Sequence, residues 1–531
     1  MSRATSLAVS LIWSCTLHAQ PTFQNIYQSA TSYTLDLIEL PSHGILIPLG
    51  GNLRVSDEGD VQNASFYYGG GTSLVQTLKA VGDNEYYFTA GTVPEPCDPG
   101  STTLSLFSPV LGAMDSLGSV LRMKRYMLDP SVCYGVPGGI DVTADKGALS
   151  WGRGRNFFAL RVDSTLEPIW AKQVAASGGF QFIKELPGGD LLAGISMDTA
   201  GAVVARMDAD GNFLWVKSYI RPKGFVHDAL IESDSSFIIT GITDTTGLSI
   251  FQTLPSSFQP KLFMMKLNGE GDVQWCRGWL NSTYRWYTGT PSRVVRTLEN
   301  NYAVLATLGV PENNLEYRAI LMNIDTNGDT LWTRSMGANG YIYMARNLLA
   351  YSRGGYLISG IVQGDLPSNN TGLCYILKTD SLGHFGCQEQ LYPLEMLNLF
   401  PVDSSFTLNV VESMTTATPI LVNDSIVDPE LFTEYDICTF ATGLPPQKGR
   451  PRSMSIRPNP TTGRFTVEFQ DPLMAESYYS VYDAVGKLLY QRPLRTGATV
   501  EEVDLGRFGP GTYVITFTSQ EGTCYERVVV E

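Results

Sequence analysis

The chain has 531 residues, with 37 Lys and Arg against 52 Asp and Glu, a formal net charge of −15, and only four His. That balance, with no basic run dense enough to track a phosphate backbone, argues against nucleic acid as a partner, and no stretch after the N-terminal 19 residues is long and apolar enough to span a bilayer as a helix. Gly at 52 and Tyr at 26 suit tight turns and half-exposed aromatic strands, which is an all-β composition.

Residues 1–19 read as a secretory signal peptide: Arg3 opens it, Leu7 to Cys15 form a short apolar core, and Leu17-His18-Ala19 offers a cleavage site. A lipoprotein reading through Cys15 is the alternative, but Trp13 fits poorly in front of a lipidated cysteine. Of eight cysteines, removal of Cys15 leaves seven, an odd number without a C-x-x-C pair. This is neither a disulfide framework nor a structural zinc site.

Residues 20–440 carry a repeat. In Asp163 to Trp170, Asp208 to Trp215, Asn268 to Trp275 and Asp325 to Trp332, an alternating apolar run enters a turn and an aromatic follows seven residues after its first polar residue. Weaker copies place Arg122 after Asp115 and Cys387 after Asp380, with Gly118 and Gly383 in the turns. Upstream of each lies a second turn, an apolar run and a closing Gly, as in Gly188 to Gly194 and Gly354 to Gly360. Four short strands per unit of roughly 40 to 60 residues define a β-propeller.

The upstream signature occurs at Leu35 to Gly50, Gln76 to Gly91, Asp141 to Gly152, Phe182 to Gly194, Ala229 to Gly241, Val294 to Leu305 and Leu348 to Gly360, with a faint eighth copy near Asp403 to Leu408. The expectation is eight four-stranded blades, alternatively seven, with 391–440 the least determined segment. Phe23 to Tyr27 has the pattern of the Trp-bearing strand and precedes any blade of its own, so it is expected to close the ring from the N-terminal side, completing the eighth blade. Insertions at 92–102 and 248–259 fall between second and third strands and are expected as surface loops.

Chemistry is sparse. Asp208 to Asn212 and Asp325 to Asp329 resemble half a calcium loop, but they lack a distal bidentate Glu, and hairpin turns demand the same residues. The expectation is no cofactor, with Ca2+ as the alternative. The repeated Trp residues could stack on sugar rings; one per unit, they fit packing between neighbouring blades better. Tyr284, Arg285, Trp286 and Tyr287 fall outside the repeat frame and form a candidate ligand loop of hot-spot composition. His43, His227 and His384 lie in different units with no nucleophile motif beside them, so no catalytic residue is assigned. A cluster of acids with Arg or His in the central funnel would instead favour an enzyme.

Composition shifts at 441–452, a linker with three Pro and two Gly. Residues 453–531 then alternate as five or so strands of a small antiparallel β-sandwich. Pro458 and Pro460 hold Asn459 extended, and Gly463 suits a turn; Tyr482 and Asp483 lead to Gly486 in a hairpin loop, and Gly511 and Tyr513 begin a later strand. In this order and spacing they resemble the type A sorting domain of type IX secretion cargo in Bacteroidetes. The resemblance implies passage through the Sec translocon, handling by the type IX machinery, and a secreted or cell-surface destination. Two functions follow: a non-enzymatic module that binds glycan or protein, or, alternatively, an extracellular polysaccharide or peptide hydrolase or lyase on a propeller scaffold.

Overall fold

In a computed structural model the described residues are 22–28, 36–48, 51–68, 77–91, 95–96, 105–106, 108–128, 137–154, 156–197, 201–219, 224–232, 235–243, 260–281, 285–287, 289–309, 317–337, 342–363, 373–385, 389–401, 403–413, 415–420, 423–427, 433–436, 454–469, 477–483, 488–495, 497–519 and 522–531. The predicted signal peptide, the linker and most of the 92–102 and 248–259 insertions lie outside them. The chain divides into two units, Met1–Thr442 and Gly443–Glu531.

In the first unit the strands, among the described residues, pair into seven antiparallel blades. Blade 1 comprises Ile38–Glu39, Ile45–Pro48, Gly51–Val55 and Val61–Tyr68; blade 2, Thr77–Gly82, Glu85–Gly91, Pro109–Met114 and Val120–Met127; blade 3, Pro137–Val142, Ala148–Gly154, Phe157–Val162 and Pro168–Val174. Blade 4 comprises Gly178–Glu185, Leu191–Met197, Gly201–Met207 and Phe213–Ser218; blade 5, Gly224–Ile231, Phe237–Thr243, Lys261–Leu267 and Val273–Leu280; blade 6, Arg293–Arg296, Tyr302–Gly309, Tyr317–Ile324 and Thr330–Met336. Blade 7 has Ile342–Ala350, Tyr356–Gln363 and Leu373–Lys378, and takes its fourth strand, Phe23–Gln28, from the N-terminal end of the chain. The early strand therefore closes the ring, on the seventh blade rather than an eighth.

The seven-residue spacing has a direct packing cause. Trp170 of blade 3 lies on Gly211 in the last hairpin of blade 4, where an added Cβ would come within 3.0 Å of the indole, and its Nε1 donates to the Ala209 carbonyl at 2.9 Å. Trp215, Trp275 and Trp332 lie in the same way on Gly271, Gly328 and Gly383 of the following blades. A cation two residues on covers the indole from its own strand: Lys217 over Trp215, Arg277 over Trp275 and Arg334 over Trp332, at 5.9, 5.8 and 5.7 Å from the ring centroids. Four residues after the aromatic position, Tyr27, Tyr126 and Tyr219 donate to the carbonyls of Gly59, Leu166 and Gly271 in the next blade's turn. Among the last hairpins of the described blades, the one with a side chain in the left-handed position, Leu166 at φ 63°, faces Arg122 in place of a Trp. The Trp residues thus bind neighbouring blades together.

The faint eighth copy is not a blade. From Glu389 the chain turns back and runs around the ring against the order of the blades, adding a fifth antiparallel strand to each: Glu389–Leu391 on blade 6, Glu395–Asn398 on 5, Ser404–Ser405 on 4, Val410–Glu412 on 3, Thr416–Pro419 on 2, Asn423–Val427 on 1 and Thr433–Asp436 on 7. The backbone N–H groups of Tyr392, Leu399, Phe406, Ser413 and Ile420 donate to the carbonyls of Thr333, Cys276, Val216, Ala171 and Met123. The donors recur every seven residues, and each acceptor directly follows the aromatic (or Arg122) position of its blade. Seven extended residues reach about 23–25 Å, one step along the outer rim. Leu399, Phe406, Leu408 and Val410 pack onto the core between blades. This strap covers outer edges that would otherwise offer unpaired N–H and C=O groups.

The second unit places Met454–Arg457, Arg464–Phe469 and Val500–Asp504 in one sheet and Ser477–Asp483, Leu488–Leu494, Gly511–Ser519 and Gly522–Val530 in another. Phe465, Val467, Val481, Leu505, Ile515 and Val528 fill the space between them.

Candidate functional site: the propeller axis and the tail clamp

Seven polar side chains, one per blade, gather at the axis: Lys79, Asp141, Lys184, Asp228, Arg293 and Asn347 on the innermost strands of blades 2 to 7, and Asp36 just before that of blade 1. Their signs alternate around the ring, and because seven is odd the seventh position carries a neutral amide. Asn347 donates to Asp36, whose other oxygen accepts the Leu78 N–H at 3.0 Å. Lys184 pairs with Asp228 at 3.0 Å, and Arg293 Nε donates to the Arg346 carbonyl at 3.1 Å. Lys79 is hemmed in by Asp36, Asp141 and Asp228, and Asp36 first among them holds its pKa above the ordinary lysine value. Its side chain stays exposed to solvent.

Asp228 is held through both oxygens: Oδ1 takes Lys184 Nζ and the Ala229 N–H at 2.8 Å, and Oδ2 takes the Val294 N–H at 3.2 Å. Burial alone would raise its pKa, but Lys184 and Arg293 hold it below the usual carboxylate range. His227, 7% exposed, accepts the Ser292 N–H on Nδ1 at 3.0 Å, which fixes a neutral ring with its proton on Nε2. Burial, reinforced by Arg293, pushes its pKa down to about 3.

In the predicted ligand loop, Tyr284 lies outside the described residues. Arg285 and Trp286 pair with Gly309 and Leu308 at the end of blade 6. Trp286 is only 2% exposed and donates Nε1 to the Trp279 carbonyl at 2.7 Å, so its indole serves the core. Half-buried Tyr287 meets Tyr317 edge-on at 4.7 Å. The hairpin carboxylates are used by their own turns: Asp208 Oδ1 accepts the N–H groups of Asp210 at 3.0 Å and Asn212 at 2.8 Å, and Asp325 does the same for Asn327 and Asp329. Among the described residues no group of three metal-ligating side chains occurs.

In the tail, Asn459 acts as a short piece of β-ladder: its Nδ2 donates to the Arg527 carbonyl at 2.6 Å and its Oδ1 accepts the Val529 N–H at 2.9 Å. Thr461 continues the grip, donating to Val529 O at 2.8 Å and accepting from Glu531 N at 2.9 Å. Pro458 and Pro460 flank Asn459 on the exposed surface. Gly463 (φ 117°) lies against Gly506, where a Cβ would come within 2.8 Å of the backbone. Tyr513 donates to the Phe508 and Gly509 carbonyls at 3.0 and 2.8 Å, and Gly511 pairs with Val530. Tyr482 and Asp483 end the strand that pairs with 511–519, while Gly486 lies outside the described residues. The motif therefore holds the last five residues of the chain, a role its sequence does not display because the partners are 68 to 70 residues apart.

Fold and tail together define an exported β-propeller protein. Residues 455–531 match the secretion system C-terminal sorting domain family, the tail of type IX secretion cargo, which assigns the protein to the cell surface or the medium of a Bacteroidetes bacterium. No helix among the described residues is long and apolar enough to cross a membrane. No curated protein matches the chain. Similar solved structures include a protein of unknown function from Bacteroides caccae (11% identity, TM-score 0.34, 59% of this chain and 93% of that one) and the Dos1 propeller (10%, 0.39, 69% and 96%).

Proposed function

We propose that the propeller is a non-enzymatic binding module for a glycan or protein partner, carried through the Sec translocon by the N-terminal signal and then exported by its tail. The observation that supports this is the axial hub, in which Lys184 pairs with Asp228, Asn347 donates to Asp36 and Lys79 lies in the field of three carboxylates. An acid-base catalyst needs a group whose protonation changes near the working pH, and Asp228 is held ionised while His227 is held neutral. The second reading, a hydrolase or lyase, draws on the same cluster, since acids beside Arg and His do meet in the funnel.

A glycan array and a surface-protein pull-down with the exported protein, each followed by mass analysis of the retained molecule, distinguish the two. The binding reading expects retention of an unaltered ligand. Turnover that disappears in Asp228→Asn would replace it with the enzymatic one.

A further inference from the structure

At the end of the channel away from the hairpin turns, between blades 6 and 7, Arg346 occupies a bulge in the inner strand Ile342–Ala350, between Ala345 and Asn347. Opposite the bulge is Gly360, and the Tyr375 ring covers that glycine so closely that a Cβ there would come within 2.3 Å of the hydroxyl. The Tyr375 hydroxyl and Arg346 Nε are both buried without a hydrogen-bond partner. Among the described residues no carboxylate pairs with Arg346 or with Arg153. Arg293 binds the Arg346 carbonyl through Nε, and Arg293 and Arg153 act on Arg346 as like charges. Thr307 joins this place to the aromatic pair beside it: its carbonyl accepts the Tyr287 N–H at 2.8 Å and its hydroxyl accepts the Ala345 N–H at 3.0 Å. Tyr287 in turn meets Tyr317.

An uncompensated, half-buried guanidinium beside an unmet hydroxyl costs stability unless something completes it. Elsewhere around the axis the cations face carboxylates; here the missing partner is an anion. We infer that this mouth binds the acidic group of a carbohydrate, a uronate carboxylate or a sulfate ester, with Arg346 and Tyr375 as donors and the Tyr287–Tyr317 pair as a wall for the sugar ring. This rests on the glycan-binding reading above and narrows it to acidic glycans. The protein's net charge of −15 disfavours long polyanions beyond the screening length, so recognition is of one or two residues held in the mouth.

The test is calorimetric titration of the exported full chain with tetragalacturonate, a sulfated tetrasaccharide, neutral maltotetraose and inorganic sulfate. At least one acidic tetrasaccharide is expected to bind, weakening as salt rises, and maltotetraose is not. Arg346→Met should weaken that binding at least tenfold while leaving the melting temperature equal or higher, because it removes an unpaired buried charge. Tyr375→Phe, which deletes one hydroxyl and keeps the fold if the first variant does not, should weaken it severalfold. Wild-type affinity in the folded variants overturns the site and leaves glycan binding elsewhere intact; absence of all glycan binding, on the array as well, overturns both. Sulfate alone binding as tightly as the oligosaccharides, or maltotetraose binding equally, overturns the assignment to an acidic sugar.

Discussion

Gly211→Ala tests the packing that sets the repeat. Gly211 sits at φ 78°, and an added Cβ would lie 3.0 to 3.1 Å from three atoms of the Trp170 ring. Two costs add: about 1–2 kcal/mol for a side chain in the left-handed region, and about 1–3 kcal/mol because the indole must retreat or the hairpin shift. Two other glycines separate the terms. Gly189 has φ 87° with nothing near its missing Cβ, so Gly189→Ala should cost only the first term. Gly188 has neither constraint, and Gly188→Ala should be neutral or stabilise by up to about 1 kcal/mol. Denaturant unfolding of the mature protein, followed by tryptophan fluorescence and calorimetry, should therefore rank the losses as Gly211, then Gly189, then Gly188. The chain also contains its own rescue, since Leu166 occupies the left-handed position where Arg122 replaces the Trp. Trp170→Arg should recover much of the loss caused by Gly211→Leu, with a coupling energy of about 1 kcal/mol or more. If Gly211→Ala and Gly189→Ala cost the same within error, or the double variant is merely additive, the indole does not set this spacing.

Two further outcomes follow from the strap and from His227. Proline at Leu399, Phe406 or Ile420 removes one strap N–H bond and should cost about 1–3 kcal/mol each; the triple variant should become open to limited proteolysis within 389–436, and an unchanged cleavage pattern would mean the strap is not held by these bonds. His227 is depressed from 6.5 to about 3, so its contribution is complete above pH 6.5 and declines as pH falls toward 3. At about 1.4 kcal/mol per pH unit the wild type should lose roughly 2–3 kcal/mol between pH 6.5 and 4.5 beyond what His227→Gln loses. Parallel stability curves for the two proteins would show that the fold does not depress the ring's pKa, and would refute the burial argument.

Much of this protein is readable in local sequence because its strongest constraints are local. An aromatic seven residues from its turn's first polar residue, set against a left-handed Gly of the following turn, recurs at four successive blade junctions, so the propeller, the closing strand and the sorting tail all appear in the order of residues. The strap is written there too, as Tyr392, Leu399, Phe406, Ile420 and Val427 at multiples of seven, but a period of seven in short extended pieces has no meaning until the outer strands and the distance between them are known. The axial hub is the opposite case. Asp36, Lys79, Asp141, Lys184, Asp228, Arg293 and Asn347 lie scattered over 312 residues in seven different blades, each looking like an ordinary solvated residue. Ring closure alone brings them together, and with them the unpaired Arg346 at the mouth, because charge compensation around an axis is a property of all seven blades at once.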